Sequence, residues 1–557
     1  MMLLIVKLIL EKRHFMKKNS FIEGTIIATI SILIVRAIGI VYVIPFNAII
    51  GERGGALYGY AYNIYQLFLS ISSAGFPFAI SKITSEYNAL GYKRSVYDTY
   101  KLAIRIISGI SVVIFLILMI FAPQIAMVIV GSSTGGNTID DIAFVIRMVS
   151  FAILIVPFLS VTRGLLQGHK YITSYSVSQI IEQVVRVLVI LIGSYLCVKV
   201  FNLPLRYAVG IAVSGAFFGG VFSYIYLKVK VRKSKILNDK KNKGNVVIGN
   251  KDIVKKIFSY SIPFILISLV NNLYITIDMV LLSRTLYGIL GVGANIGESI
   301  VGVYTTWGVK LNNIILAVST GLVTSLIPNI VSSNARSDIK DVNDKFNKTI
   351  QCVLLVIVPM TLFLSMLVKP VWTLFYGNSY YGPLVYKFFV YTALFGGVYT
   401  IIVNTLQGLN KYKLVMKTVL MGLVVNAILD IPLMLLANKI GFNASYGAIM
   451  AAIIGYCVSI YVSIHSLKKE YNFSYNSTLS KLPNFIVSWF VFVVIIFILK
   501  LFVPTNLENR LIQVPIIMLF GIVSFGIYIV INYKNGNLNE ILSIDLNKLF
   551  KKVKKSS

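Results

Sequence analysis

Arg36, Glu182, Arg186, Asp278 and Lys310 each interrupt a long apolar run of this 557-residue chain. A charged side chain in such a run costs about 2.5–3.5 kcal/mol or more at the centre of a bilayer, so each must face water, a partner or a ligand. Arg36 lies in ILIVRAIGIV, about 22 Å along the axis of its helix, and needs a polar cavity or a counter-charge. Glu182 and Arg186 are spaced i, i+4, which puts them on one helix face where they can pair. That pair can be structural as readily as functional. Lys310, in TTWGVKLNNIIL, can hold an anion or a carboxylate. Asp278, in NNLYITIDMVLL, is a candidate cation or proton site, or a partner for Arg36. Glu298 falls at the outer end of the helix that carries Lys310; it is either simply solvated or, with Asp278, a coupling residue or structural partner. Arg147, near the outer end of its helix, can snorkel to headgroups.

The cavity set is therefore Arg36, Arg186 and Lys310, balanced by Glu182 and Asp278. Three cations suit an anion such as a pyrophosphate, because arginine forks onto phosphate oxygens and lysine acts as a point charge. A cavity for drug cations would be lined with carboxylates and aromatics instead. The tyrosines of YGYAYNIYQ (58–66) can stack on sugars, although tyrosine is also common at membrane interfaces. Cys197, Cys352 and Cys457 are dispersed, as are His14, His169 and His465. No zinc site, disulfide framework, nucleophile–base pair or Walker A pattern is legible, so neither an enzyme nor a bound cofactor is expected. Coupling would come from Na+, H+ or the membrane potential.

The elements that hold these residues are transmembrane helices. The chain is 57% hydrophobic and 13% charged, with mean hydropathy +0.82, against about 25% charged in soluble domains. A span needs about 20 apolar residues. Spans are expected near 22–46, 56–80, 102–130, 142–165, 173–198, 205–227, 257–283, 300–328, 350–376, 384–408, 414–437, 444–466, 484–503 and 512–532. The expected fold is thus an all-α polytopic membrane protein of about 14 helices, in two pseudo-symmetric six-helix lobes plus two C-terminal helices. Its parts are a basic cytoplasmic N-terminus (1–20), an N-lobe (21–228), a cytoplasmic linker (229–256), a C-lobe (257–468), the last two spans (469–533) and a basic cytoplasmic tail (534–557). MMLLIVKLILEKRHF precedes Met16, which is the expected natural start.

The formal charge is +32, but the basic residues cluster between apolar runs and do not suggest nucleic-acid binding. They crowd alternate segments: Lys17 and Lys18, Lys93 and Arg94, Arg163 and Lys170, the stretch from Lys228 to Lys256, Lys345 and Lys348, Lys411 and Lys413, Lys468 and Lys469, and the tail. The opposite segments hold few, among them Arg53, Lys199, Arg206, Arg284, Lys439, Lys500 and Arg510. The positive-inside rule places both termini in the cytoplasm and the basic segments against anionic membrane lipids.

The two halves echo each other. Gln167-Gly168 is matched by Gln407-Gly408, and Ser73-Ala74-Gly75 by Ser319-Thr320-Gly321. Six spans separate the copies, as in a parallel repeat with a cleft between lobes that suits alternating access.

RGLLQGHKYITSYSVSQIIEQVVRVLVIL (163–191) resembles a signature stretch of the bacterial polysaccharide-export and lipid II flippase proteins. VRAIGIVYVIPF (35–46) resembles their first helix, and GFNASYGAIMAAIIGY (441–456) their twelfth. The resemblance implies the fold of the multidrug/oligosaccharidyl-lipid/polysaccharide exporter superfamily. Within it, the chain resembles the Gram-positive branch that includes a sporulation stage V relative. It also implies that Arg36 stands at a functionally important position. Tyr42 replaces a second arginine of some lipid II flippases, and Lys310 lies near an expected arginine. The expected function is export of a lipid-linked oligosaccharide, lipid II first, across the bacterial cytoplasmic membrane, with cell-wall synthesis enzymes as partners. The alternatives are a cation-coupled exporter of drugs or metabolites and a non-transporting scaffold for wall-synthesis enzymes.

Overall fold

Among the described residues, helices account for nearly every element. The structure, a computed structural model, describes residues 21–538 apart from 132–135, 235, 238–247 and 506. The expected start at Met16, the N-terminal segment, most of the tail and the middle of 229–256 lie outside the described residues.

The helices of the first half are α1 (Phe21–Val41), α2 (Val43–Ser73), α3 (Phe76–Ala89), α4 (Lys93–Val130), α5 (Ile139–Gly168), α6 (Ile172–Leu188), α7 (Leu205–Ser234), α8 (Asn250–Arg284) and α9 (Ala294–Gly302). Then come α10 (Gly308–Ala335), α11 (Ile339–Met366), α12 (Val368–Tyr376), α13 (Tyr381–Phe389), α14 (Tyr391–Gly408), α15 (Tyr412–Lys439) and α16 (Ser445–Tyr471). The chain closes with α17 (Asn476–Leu479), α18 (Leu482–Phe502) and α19 (Arg510–Lys534). Wider π turns extend α6 (Val189–Gly193 and Leu196–Val200) and α8 (Thr285–Ile289), and one joins α9 to α10 (Val303–Trp307).

Twelve helical stretches among the described residues are long and apolar enough to cross a membrane. The other two expected spans fall on α1, whose apolar part covers only Ile30–Val41, and on α9–α10, which carries Lys310, Asn312 and Asn313. Length and composition thus support twelve spans, and the expected count of fourteen is not reached. Boundaries shift as well. The first expected span stops at Tyr42 and resumes as α2, which itself breaks at Gly51 (φ 66°). α2 and α3 part at Gly75, where a Cβ would lie 2.2 Å from the Ser261 carbonyl oxygen. Only glycine allows α8 to come so close.

The chain forms two compact units, Met1–Thr306 and Trp307–Ser557. In the first, Phe76, Ile83, Ile107, Leu165, Leu227 and Ile257 meet in one buried cluster. Two other close helix crossings there use pairs of glycines one turn apart. Gly164 and Gly168 of α5 face the carbonyls of Pro77 and Ser81, which a Cβ would approach to 2.5 and 2.7 Å. Gly55 and Gly59 of α2 seat the turn at Thr305 and Thr306, and Thr306 Oγ1 donates to the Gly55 carbonyl at 2.8 Å. Small residues that let backbones approach are the usual means of helix association in lipid. In the second unit, Trp372 packs on Tyr376 and Tyr386 at 4.6 and 5.8 Å between ring centres. There Tyr528 of α19 donates to the Leu355 carbonyl of α11 at 2.9 Å.

The internal repeat is visible in the turns. After α5, Lys170 (φ 64°) sends its N–H to Gln167 and Tyr171 sends its N–H to Leu166. After α14, Asn410 (φ 59°) bonds Gln407 and Lys411 bonds Leu406. The turn after α3 bonds Gly91 to Asn88 and Tyr92 to Tyr87, and the turn after α10 bonds Ser337 to Asn334 and Asp338 to Ser333. Each pair closes its helix with a left-handed residue and the same two bonds. Gly131 and Gly377 end α4 and α12 alike, at φ 71° and 78°, and each lies beside an arginine of its own unit, Arg284 and Arg510. Arg284 donates to the Met127 and Val128 carbonyls at 2.8 Å each. A cation on the last carbonyls of a helix complements its dipole.

Candidate functional site

α6 carries the site. Tyr175, Gln179, Glu182, Gln183 and Arg186 recur at three- and four-residue spacing, so they form one polar stripe on a helix inside an otherwise apolar unit. Glu182 is the hub. Its Oε1 accepts from Arg186 Nη2, and its Oε2 accepts from Nη1 of Arg163 at 2.8 Å. Arg163 Nε donates to Ser178 Oγ at 2.8 Å and its Nη2 to Ser223 Oγ at 3.2 Å. Ser223 in turn donates to the Ser178 carbonyl at 2.8 Å. Two guanidiniums therefore share one carboxylate, and the cluster carries a net positive charge. The Arg163 and Glu182 side chains are each 13% exposed, so the cluster sits where an unpaired charge would be expensive.

α7 fixes the height of this cluster. A Cβ on Gly215 would lie 2.9 Å from the Arg186 carbonyl oxygen, and one on Gly219 would lie 2.6 Å from that of Glu182. α1 meets α6 at Gly39, where a Cβ would lie 3.4 Å from Gln183 Nε2. Arg36 stands three residues earlier, on the same side of α1, and is half-buried. α2 completes the surroundings. Tyr58 stacks on Tyr62 at 5.3 Å, Tyr62 meets Tyr65 at 5.6 Å, and Phe46 meets Tyr58 edge-on at 5.5 Å. Arg186 interacts electrostatically with Tyr58, Tyr62 and Tyr65. Tyr42 is buried.

The expected site residues thus divide. Arg36, Glu182, Arg186, Asp278 and Glu298 belong to the first unit, and Lys310 opens α10 in the second. Asp278 is buried and accepts from Tyr304 OH at 3.0 Å. Glu298 is buried at 2% exposure, not solvated. The Asn137 N–H and Nδ2 donate to its two carboxylate oxygens at 2.9 and 2.7 Å. Asn137 Nδ2 also reaches the Arg53 carbonyl at 3.0 Å. The sequence could not show this, because the turn that brings Asn137 to α9 lies 161 residues away. Glu298→Ala leaves those donors without an acceptor. We expect a stability loss of about 1–3 kcal/mol, measured by thermal unfolding in detergent; an unchanged unfolding curve would mean that water replaces the carboxylate.

The sequence reading counted Arg163 with the basic inner-side residues at the end of the expected span 142–165 and did not see its partner Glu182. α5 runs to Gly168, so Arg163 lies more than a turn inside the helix. Gln167-Gly168 marks that helix end and was the available signal. In the second unit the sequence reading passed over Asn426 and Asp430, an i, i+4 pair on α15 that is fully buried. The positions 240 residues after Glu182, Arg186 and Gly219 are Gly422, Asn426 and Ser459. A Cβ on Gly422 would lie 2.0 Å from Ser459 Oγ, and Ser459 donates to the Thr418 carbonyl at 2.9 Å. Both units make the same close crossing, but with the glycine on opposite helices, and the arginine–carboxylate cluster belongs to the first copy.

Residues 21–334 match the model of the family described as "Polysaccharide biosynthesis protein". The lipid II flippase MurJ of Bacillus subtilis (strain 168) is 31% identical over 548 residues, which span 96% of this chain and 99% of that protein. The chain belongs to the polysaccharide biosynthesis protein family. A more distant relative, stage V sporulation protein B of the same organism, is 25% identical over 61% of this chain and 64% of its own length. Solved structures place the family's fold. The lipid II flippase MurJ in an inward closed conformation superposes with a TM-score of 0.62 at 16% identity, covering 92% of this chain and 99% of its own. An inward-facing multidrug resistance MATE family transporter of the MOP superfamily gives 0.59 at 13% identity, covering 80% and 99%. The polysaccharide biosynthesis match takes in the whole described part of the first unit, including α5, α6 and α7, which build the charged cluster.

Proposed function

We propose that this protein is a flippase that moves a lipid-linked oligosaccharide across the cytoplasmic membrane by alternating access, with lipid II as its cargo. The observation that carries the reading is the end-to-end similarity to a lipid II flippase. The net-cationic cluster of Arg163, Glu182 and Arg186 supports it, since a pyrophosphate needs fixed cations in a dry setting. Arg36, Arg186 and Lys310 contact the pyrophosphate in this reading, and Glu182 holds Arg186. Asp278 and Glu298 serve coupling to Na+, H+ or the membrane potential, or brace the fold. The lobes are 21–228 and 257–468, joined by the 229–256 segment. Both termini lie in the cytoplasm, as the basic segments favour. Wall-synthesis enzymes are the natural partners downstream.

The test is depletion of the protein in its host, with outer-leaflet lipid II scored by its accessibility to an external hydrolase. Wild-type protein restores export, and Arg36→Ala and Lys310→Ala restore it at least tenfold less well. Unchanged lipid II export on depletion would overturn the cargo. Increased drug sensitivity in the same cells would then favour a cation-coupled exporter.

A further inference from the structure

Two polar atoms on the α6 stripe lack a hydrogen-bond partner among the described residues. They are the Gln179 carbonyl oxygen Oε1 and the Arg186 Nε–H. Both are covered, and a covered donor or acceptor without a partner costs about 1–3 kcal/mol. Each side chain is otherwise engaged: Gln179 Nε2 donates to Tyr175 OH at 3.2 Å, and Arg186 Nη2 donates to Glu182. Arg186 cannot turn to satisfy its Nε–H without breaking its bond to Glu182, whereas the Gln179 amide can turn over on Tyr175 OH and leave its N–H open in place of its oxygen. In the orientation found here one orphan accepts and the other donates. They are seven residues apart on one face, about 10 Å along the helix. Beside them stands the tyrosine ladder of α2. Tyr58 and Tyr65 are buried, whereas Tyr62, which contacts both, remains partly exposed.

We propose that this face of the first unit recognises the sugar of the cargo. A glycan hydroxyl donates to Gln179 Oε1, another accepts from Arg186 Nε–H, and the apolar face of a pyranose packs on Tyr62. Hydroxyl groups both donate and accept, so a sugar can meet both unsatisfied atoms, as amide groups on a sugar also can; a pyrophosphate only accepts. The repeat does not reproduce the arrangement. The positions 240 residues after Gln179 and Arg186 are Val419 and Asn426, and the position 246 residues after Tyr62, the offset that matches Gly75 to Gly321, is Gly308, so neither the amide nor the ring recurs. The proposal rests on the flippase reading and adds which residues sense the glycan.

The test uses the full-length protein in nanodiscs and compares binding of lipid II with that of undecaprenyl pyrophosphate, which lacks sugar. Gln179→Leu keeps the volume and removes the acceptor; Tyr62→Ala removes the ring. Each is expected to weaken lipid II binding about tenfold, the worth of one hydrogen bond or ring contact. Undecaprenyl pyrophosphate binding should move less than about twofold. Tyr62→Phe keeps the ring and is expected to bind lipid II like the wild type, which separates loss of the contact from loss of the fold. Equal weakening of both ligands, or no weakening of lipid II, overturns the sugar-recognition proposal alone. Wild-type protein that binds neither ligand overturns the flippase reading with it.

Discussion

Glu182→Ala is expected to abolish transport and to lower stability by about 3–5 kcal/mol, the cost of removing one partner from a buried ion pair. Two guanidiniums lose their shared carboxylate at once. Arg163 keeps Ser178 and Ser223, so it remains anchored, but Arg186 loses the carboxylate that holds its Nη2. Like charges then face each other between α5 and α6 in a setting that water screens poorly. Glu182→Gln keeps one acceptor oxygen and removes the charge, and should fall between wild type and alanine. Thermal unfolding in detergent and rescue of a depleted strain read the two effects separately. An alanine variant that unfolds with the wild type and still rescues would mean that the cluster is neither brace nor site. Full stability with lost rescue would assign Glu182 to transport alone.

The second large effect concerns a residue without a side chain. Gly219→Ser should cost about 1–3 kcal/mol, as overpacking does in well-filled interiors, because its Cβ would lie 2.6 Å from the Glu182 carbonyl oxygen. Serine is the informative choice. The second unit carries Ser459 at the matching position and tolerates it because the residue opposite is Gly422. In the first unit the residue opposite is Glu182, so the same side chain must push α6 outward and carry Arg186 with it. The variant is therefore expected to lose transport more steeply than stability. If Gly219→Ser behaves as wild type in both, α6 has room to move, and the height of the cluster is not set by α7.

The sequence carried the helical architecture because a bilayer demands long apolar runs, and composition alone reveals those. It also carried the Glu182–Arg186 pair, because a four-residue spacing is a property of one helix. The matched turns at Gln167-Gly168 and Gln407-Gly408 were legible for the same reason. Arg163 was not, since its partner lies on another helix and its depth depends on where α5 ends. The glycine seats at Gly215 and Gly219 could be seen as letters, but which carbonyls they meet follows from packing. Glu298 looked like a surface residue by position along its helix, and only a remote turn makes it buried. Wide turns such as Val303–Trp307 shift the apolar periodicity by one residue only, which the sequence reading did not detect.

That last turn sets an angular phase. A π turn holds one residue more than an α turn, and one residue is about 100° of rotation. The helical backbone runs on past Trp307 without a break, and Lys310 follows the surplus residue in sequence. Deleting one residue from Val303–Trp307 would leave the apolar content nearly intact, yet shift the register of the lysine on its own helix by one position, about a quarter-turn round that helix axis. In this stretch the number of residues, and not only their identity, carries information about which way a charge looks.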